Sequence, residues 1–278
     1  QRIAVRRHTT TIFFSMISSL FSLAGRTALV TGGSRGIGQA MALGLAEAGA
    51  DIILVLRSKS QTETQSKIEN LGRRCFIHEA DLGDAEAARN IVPAIVKEHR
   101  WFNILVNVAG IQRRSSAEDF PQRAYDEIMQ VNLSATFRVC RDTGKYWLDN
   151  NIKGSIINTA SIASFQGGVS MAAYATSKGG VAQLTKAFSN EWACKGIRVN
   201  AIAPGYIATD MNVDTRTAPD QVVYNSISGR IPMGRWGTPD DFKGPVVFLA
   251  SNASSYVTGE ILVVSSRYMP LEKKLIDT

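Results

Sequence analysis

The stretch that most constrains the fold of this chain is TGGSRGIG, residues 31–38. It follows the short apolar run TALV and leads into IGQAMALGLAEAG, where apolar residues recur at helical spacing up to a glycine stop. The strand-like run DIILVL comes next. A glycine-rich turn between a strand and a helix, followed by a second strand, predicts a βαβ unit with parallel strands.

Further strand-like runs follow this unit along the chain. They read CFIHEA, NILVNVAG, SIINTAS, IRVNAIAPG and EILVV, and the stretches between them are long enough for helices. Their nearly continuous apolar character is typical of parallel strands that are covered on both faces. We therefore predict an α/β fold, a Rossmann-type doubly wound parallel sheet, in a single domain over residues 21–278. The Pro/Asp/Thr-rich stretch 210–239 is predicted to be irregular and to lie where a substrate lid would sit.

The first twenty residues differ from the rest of the chain in composition. QRIAVRRHTTTIFFSMISSL is rich in Arg, Ser and Thr and has no acidic residue, which is typical of a mitochondrial presequence. Because the chain opens on Gln and Met16 lies just ahead of the folded pattern, the competing interpretation is a flexible or non-native leader over residues 1–20. We adopt the second interpretation and expect a cytoplasmic protein, with a mitochondrial location if the leader is native.

Composition also limits the partners of the chain. The formal net charge is +7, but the leader arginines account for much of it, so the folded part is only mildly basic and no nucleic-acid partner is expected. The apolar part of the leader is too short to span a bilayer, so no membrane partner is expected. Three scattered cysteines, Cys75, Cys140 and Cys194, support neither a disulfide framework nor a zinc site. We expect reduced thiols and no metal.

The glycine turn is suited to a bound diphosphate. Gly32 can take the tight turn, whereas Gly36 and Gly38 let the backbone and the helix approach the ligand closely. The helix N-terminus supplies N–H donors and the positive end of its dipole. The glycine spacing differs from G-x-G-x-x-G, so the turn alone does not identify the ligand.

Several motifs occur together with the glycine turn in a fixed order. They are DL at 81–82, NVAG at 107–110, VN at 131–132, TASIAS with Ser161, YATSK at 174–178 and PGYIAT at 204–209. In this order and spacing, from about Phe21 to Val264, the chain resembles the short-chain dehydrogenase/reductase family. The resemblance implies an NAD(P)-dependent enzyme that transfers a hydride between nicotinamide and a secondary alcohol or ketone. It also implies a homotetramer or homodimer.

Tyr174 and Lys178 stand four residues apart, so in a helix they share one face. The resemblance implies that Tyr174 is the general acid/base. An ammonium group at ~4 Å and an effective dielectric of ~20 would contribute on the order of 4 kcal/mol, or roughly three pKa units. We therefore expect Lys178 to lower the pKa of Tyr174 towards neutrality. The resemblance adds Ser161, which holds the reacting oxygen, and Asn132, which positions backbone and a water near Lys178.

The resemblance also implies a set of dinucleotide-binding residues. They are Gly32, Ser34, Arg35, Gly36, Ile37, Gly38, Arg57, Asp81, Leu82, Asn107, Ala109, Gly110, Tyr174, Lys178, Pro204, Gly205, Ile207 and Thr209. Asp81 is expected to accept from the adenine amino group and Asn107 to lie under the adenosine ribose. Arg57 ends the second strand, where an enzyme that prefers NAD usually has an acid. Arg57 and Arg35 could pair with a 2'-phosphate, so NADP(H) is favoured and NAD(H) is the alternative.

Longer matches narrow the resemblance to one branch of the family. GIQRR at 110–114, SFQGG at 164–168, NEWA at 190–193 and RIPMGRWGTPDD at 230–241 look like the branch that acts on gluconate-type sugar acids. We expect Gln112, Arg113, Arg114 and Gln166 to contact substrate, with an arginine on its carboxylate. The same arginines could simply face water.

Two other functions remain open. A 3-oxoacyl thioester reductase or general keto-reductase would need an apolar tunnel under residues 210–239, and a non-catalytic nicotinamide sensor would not need an activated phenol. The C-terminal tail departs from the family, because Ser266 and Arg267 replace two glycines of an expected Asp-Gly-Gly turn. This departure places the expected tetramer in question.

Overall fold

The computed structural model describes residues 17–99 and 101–265. Within them a single seven-stranded sheet forms, in which every strand runs parallel to its neighbours. The strands are β1 (Thr27–Thr31), β2 (Asp51–Leu56), β3 (Cys75–Glu79), β4 (Ile104–Asn107), β5 (Gly154–Thr159), β6 (Ile197–Pro204) and β7 (Ile261–Val264). All seven coincide with the apolar runs of the sequence.

Helices cover both faces of the sheet. They are α1 (Gly36–Glu47), α2 (Glu63–Asn70), α3 (Ala85–His99), α4 (Gln122–Ile128), α5 (Ala135–Asp149), α6 (Ala163–Gln166), α7 (Ala172–Trp192), α8 (Val213–Thr217), α9 (Val222–Ser228) and α10 (Lys243–Ala250). One core packs α1, α2 and α10 on the first face, and the other packs α3, α5 and α7 on the second face. Burial of both strand faces explains why the strands are apolar at nearly every position.

The strand order fixes where a ligand can bind. It is β3-β2-β1-β4-β5-β6-β7, so the chain direction across the sheet reverses between β1 and β4. In doubly wound sheets, a crevice opens at the carboxyl ends of the strands at such a reversal. The glycine turn follows β1 at this point, and the predicted Rossmann-type fold is confirmed.

The stretch 210–239 is only partly irregular, because its first half is helical, contrary to the prediction. It contains a short 3-10 helix at Asp210–Asn212, then α8 and α9. We call residues 206–242 the lid segment. Trp236 stacks on Tyr224, with ring centroids 5.4 Å apart, and meets Tyr206 edge-on at 5.3 Å. Together with Ile227 and Ile231 they form a small separate core, and this burial stabilises helices too short to show a period in the sequence.

Both chain ends lie mostly outside the described residues. Residues 1–16 of the predicted leader and the tail 266–278, including Ser266 and Arg267, are not described, whereas residues 17–21 are helical and exposed. None of the helices within 17–99 and 101–265 combines the length and the apolar character needed to cross a bilayer. In the same part of the chain, no group of three or more His, Cys, Asp or Glu side chains could hold a metal ion.

Candidate active site

The glycine turn needs glycine at its first position. Gly32 has φ +72°, and a Cβ there would lie 2.7 Å from the Cα atom of Ala109. The turns after β1 and β4 therefore touch directly, which brings the two sides of the crevice together. Gly36 also has a positive φ, +55°, and begins α1.

The N-terminus of α1 is open to an anion. Arg35 is its N-cap residue with an extended backbone, no side chain caps the helix, and its first turn contains no acidic residue. The first N–H groups of the helix therefore face the crevice without a side-chain acceptor, beside the positive end of the helix dipole. This arrangement fits the diphosphate of a dinucleotide.

Two arginines lie at the carboxyl edge near this turn, and the structure distinguishes them. Arg35 donates from Nη1 to Oδ2 of Asp210 in the lid segment at 3.1 Å. Arg57, directly after β2, is exposed and makes no hydrogen bond or ion pair with any described residue. Ser34, between the glycines, contributes its carbonyl to Gln39 and Thr64.

Lys178 lies inside the protein at the end of β5. Its side chain is only 4% exposed, and Nζ donates to the carbonyl oxygen of Thr159 at 2.6 Å. Burial disfavours the charged amine and lowers the pKa of Lys178 from 10.5 to about 8. Nζ lies 5.9 Å from the ring centroid of Tyr174, so the pair shares one face of α7 as predicted.

The expected effect of Lys178 on the Tyr174 phenol is wrong for this structure. Burial raises the pKa of Tyr174 above 10, whereas a hydrogen bond with Ser161 and the positive charge of Arg114 act in the opposite direction. Lys178 does not lower the pKa of Tyr174. Its amine donates to the Thr159 carbonyl, and burial makes the charged form of the amine less favourable. The phenol is therefore protonated at neutral pH and able to donate.

Ser161 and Asn132 complete the cluster. Ser161 follows β5 and accepts from the N–H of Ala163 at 3.1 Å, which fixes its hydroxyl at the start of α6. Asn132 sits in a π-helix at Met129–Ser134, between α4 and α5. Its amide accepts from the N–H of Ile111 at 2.8 Å and donates to the carbonyl of Ile111 at 3.0 Å. Asn132 thus clamps the backbone of the loop after β4.

The loop after β4 connects this clamp to the buried lysine. A Cβ at Gly110 would lie 3.3 Å from Oδ1 of Asn132 and 3.5 Å from Nζ of Lys178. Asn132 also donates to the hydroxyl of Ser177, which in turn donates to the carbonyl of Tyr174 at 2.7 Å. Neighbouring turns of α7 are therefore tied to the π-helix.

Asn107 and Asp81 are the residues predicted for the adenosine end. Asn107 ends β4, and its side-chain amide donates to Asn158 at 3.0 Å and to the sulfur of Cys140 at 3.2 Å. The side chain is buried and both amide hydrogens are used within the protein, which leaves the backbone of Asn107 to approach a ribose. Asp81 is exposed and accepts from the N–H of Gly83 at 2.9 Å, and Leu82 is buried beside it.

The PGYIAT residues lead from the end of β6 into the lid segment. Pro204 ends β6, and the N–H of Gly205 donates to the carbonyl of Val264 in β7 at 3.2 Å. Ile207 is buried and bridges to Gly237 at the far end of the lid segment. Thr209 caps the 3-10 helix at Asp210–Asn212 in a capping box with Asn212.

The predicted substrate residues separate into two groups. Arg113 forms an ion pair with Glu127 at 3.3 Å and is held away from the cluster. Arg114 instead lies near enough to lower the pKa of Tyr174, and Nη1 reaches the hydroxyl of Ser170 at 3.3 Å. Gln112 is half-buried in the same loop, and Gln166 is exposed at the end of α6.

Three residues of the site were missed from the sequence. They are Thr159, the carbonyl partner of Lys178; Ser177, the link to Asn132; and Asp210, the partner of Arg35. Ser177 could have been found, because it immediately precedes the lysine of YATSK. The other two are contacts between distant parts of the chain, for which the sequence gives no signal.

Comparison with known proteins identifies related chains. The family model described as enoyl-(acyl carrier protein) reductase matches residues 32–266. The 2-dehydro-3-deoxy-D-gluconate 5-dehydrogenase of Pseudoalteromonas atlantica is 46% identical over 251 residues, 90% of this chain and 98% of the relative.

Solved structures agree with this similarity. One from Agrobacterium tumefaciens, described as a candidate 2-deoxy-D-gluconate 3-dehydrogenase with bound NADP, is 44% identical at a TM-score of 0.84, covering 89% of this chain and 97% of that one. A gluconate 5-dehydrogenase from Burkholderia cenocepacia in complex with NADP and tartrate is 35% identical at a TM-score of 0.85, covering 90% and 97%.

Proposed function

Because this chain belongs to the short-chain dehydrogenase/reductase family, and is therefore an NAD(P)-dependent oxidoreductase of CH–OH groups, we propose that its substrate is a gluconate-type sugar acid. The names of its relatives support this substrate class. The single observation that carries the proposal is the position of Arg114, an exposed cation in the loop after β4 whose Nη1 lies 3.3 Å from the hydroxyl of Ser170, in the segment between Ser161 and Tyr174. A carboxylate bound there would bring the neighbouring hydroxyl or carbonyl group to the phenol.

In the proposed mechanism, the dinucleotide supplies or accepts the hydride at the reacting carbon. Tyr174 donates its phenolic proton to the carbonyl oxygen during reduction, and takes the hydroxyl proton during oxidation. Ser161 donates a hydrogen bond to the same oxygen and stabilises the charge that develops on it. Because the pKa of Lys178 is about 8, its amine can gain and lose a proton near physiological pH and return a proton towards Tyr174.

We propose that the cofactor binds along the carboxyl edge from Arg57 to Thr209, with NADP(H) favoured. The open N-terminus of α1 would hold the diphosphate, and Arg57, which has no partner among the described residues, is available for a 2'-phosphate. The two neighbours with bound NADP support this preference.

A second candidate function is 3-oxoacyl thioester reduction. The lid segment exposes the apolar side chains of Met211, Val213, Val222, Val223 and Met233, which could contact an acyl chain. A 3-oxoacyl-[acyl-carrier-protein] reductase is also a relative, at the lower identity of 34%.

A panel of sugar acids, polyols and acyl thioesters tests both functions. We expect the highest kcat/KM, followed through the absorbance of reduced nicotinamide, for a sugar acid. The matched polyol without a carboxylate should be at least about tenfold poorer, because an arginine–carboxylate pair contributes more than ~1.4 kcal/mol. A preference for acyl thioesters would overturn the sugar-acid proposal in favour of the second function.

We further propose a homotetramer or homodimer. A surface hollow of about 600 Å³ between α5 and α7 contains the exposed ring of Phe137 with Arg138 and Arg141 beside it, and we propose that a second copy packs on this mixed apolar and basic face. Light scattering of the purified chain measures the oligomeric state, and a monomer would contradict the proposal.

The proposed location is the cytoplasm, or mitochondria if residues 1–15 are native. Imaging of fluorescent fusions with and without these residues distinguishes the two locations.

A further inference from the structure

Arg35 and Arg57 lie at the ends of neighbouring strands, but only one of them is paired. Arg57 makes no hydrogen bond or ion pair with any described residue, whereas Arg35 is bound to Asp210 at 3.1 Å. Asp210 is 175 positions further along the chain, at the beginning of the lid segment. The pair therefore joins the glycine turn to the lid segment across the edge of the crevice.

The lid segment covers the start of α1 at this point. The side chain of Thr209 lies beside Gly36, because a Cβ on Gly36 would come within 3.6 Å of the Thr209 Cγ2 atom. The Thr209–Asn212 capping box and the bonds from Arg216 to Asn212 and to the Thr209 carbonyl fix the backbone of this turn. The turn therefore places the Asp210 carboxylate beside Arg35.

A carboxylate on Arg35 acts against an approaching phosphate in two ways. It occupies guanidinium donors that would otherwise bind phosphate oxygens, and it adds negative charge where a dianion would approach. Both side chains are largely exposed, 72% for Arg35 and 71% for Asp210. Since an exposed ion pair is weak, a phosphate dianion can displace the carboxylate, but at some loss of affinity.

We propose that Asp210 is a specificity-determining residue that competes with the 2'-phosphate of NADP for Arg35. This inference rests on the proposed binding of the dinucleotide at the glycine turn. NAD lacks the 2'-phosphate and leaves the Arg35–Asp210 pair intact, whereas NADP exchanges the carboxylate for its own phosphate. Asp210 therefore lowers the affinity for NADP but not for NAD, which reduces the preference for NADP. Binding of NADP also breaks the ion pair that joins the lid segment to the glycine turn.

The test is Asp210→Asn, which removes the charge and keeps the size of the side chain. Titration of nicotinamide fluorescence gives Kd for NADPH and for NADH without turnover. We expect Kd for NADPH to fall about two- to fivefold, the range set by an exposed ion pair, and Kd for NADH to stay unchanged. Asp210→Glu, which keeps the charge, should stay close to the wild type.

A double-mutant cycle identifies the residue through which Asp210 acts. In an Arg35→Ala background, Asp210→Asn should leave Kd for NADPH unchanged, since the contested cation is gone. In an Arg57→Ala background the two- to fivefold gain should persist, because Arg57 does not contact Asp210.

Three results separate failure of this inference from failure of the proposed function. Equal shifts of Kd for NADH and NADPH would overturn the inference, because they would indicate that Asp210 acts only through the fold of the lid segment. Persistence of the gain in the Arg35→Ala background would overturn it as well. If the wild type binds neither dinucleotide, the proposed function fails first. Thermal unfolding of each variant verifies that it is folded.

Discussion

The catalytic cluster and the lid segment are built in opposite ways. In the cluster, Lys178 and Asn132 are buried, and each is directed by hydrogen bonds to backbone atoms of a different element. In the lid segment, short helices surround a small aromatic core, exposed apolar side chains face outward, and a surface ion pair connects the segment to the glycine turn. The difference indicates that the scaffold fixes the cluster, whereas the lid segment, which meets the glycine turn through a surface ion pair, can change with less effect on the rest of the fold.

The largest expected effect tests the cluster. Tyr174→Phe removes one hydroxyl from a site held by α7, so turnover should fall by about 10²–10⁴ while cofactor affinity changes little. Steady-state kinetics and a fluorescence titration of NADPH measure the two quantities. Turnover close to the wild type would mean that another group transfers the proton.

Replacing one tryptophan in each region compares the contributions of the two regions to stability. Trp147 is fully buried between α5 and the sheet and donates to the Phe102 carbonyl at 2.8 Å, so Trp147→Ala should cost about 3–5 kcal/mol of unfolding free energy. Trp236→Ala should instead leave the urea midpoint of the main core nearly unchanged and raise KM severalfold, since it loosens only the lid segment. An equal loss of stability in both variants would show that the lid segment unfolds together with the sheet.

The buried lysine predicts a pH dependence of stability. Because burial lowers the pKa of Lys178 from 10.5 to about 8, the folded state is penalised while the amine is charged. This destabilisation is complete at pH values below the folded-state pKa of about 8 and vanishes above the unfolded-state pKa of 10.5. The free energy of unfolding should therefore rise by about 3 kcal/mol as the pH increases between these two values. Urea unfolding at a series of pH values should lack this rise in Lys178→Met. Lys186→Met, an exposed lysine of the same helix, should retain it.

The smallest expected effect is that of replacing Arg114, for which the adjacent Arg113 provides a matched control. Arg114→Ala should raise KM for the sugar acid about tenfold, since it removes a charge-assisted pair, whereas Arg113→Ala should change KM by less than about twofold. Oxidation needs the phenolate, so its rate should increase with pH. Because Arg114 lowers the pKa of Tyr174, its removal should move that profile to higher pH. Equal changes in KM and in the pH profile for the two variants would refute the different roles given to Arg113 and Arg114.

The sequence predicts the scaffold well and the side-chain environment less well. Each strand of the sheet was predicted, because burial on both faces leaves an unbroken apolar run such as Asp51–Leu56. The lid helices were missed, because their stabilising contact between Tyr206 and Trp236 spans thirty positions and no local period reveals it.

The identity of a residue also does not determine the charge state of its side chain or the partner to which that side chain is bound. Tyr174 and Lys178 share a helix face as predicted, but burial, which no motif encodes, gives the phenol a raised pKa. The adjacent arginines 113 and 114 are equivalent in sequence, but in the folded chain Arg113 pairs with Glu127 and Arg114 with Ser170. Asn107 ends its strand as predicted, but its amide is bound by Cys140 and Asn158, contacts that span 33 and 51 positions and leave no local signal in the sequence.

The clamp of Asn132 on Ile111 has a consequence for divergence within such enzymes. One amide side chain holds both the N–H and the carbonyl of the loop that carries residues 112–114, much as a partner strand would. Side chains on that loop can therefore be replaced without moving its main chain. We therefore expect point substitutions at these positions to alter the substrate range with no insertion or deletion needed.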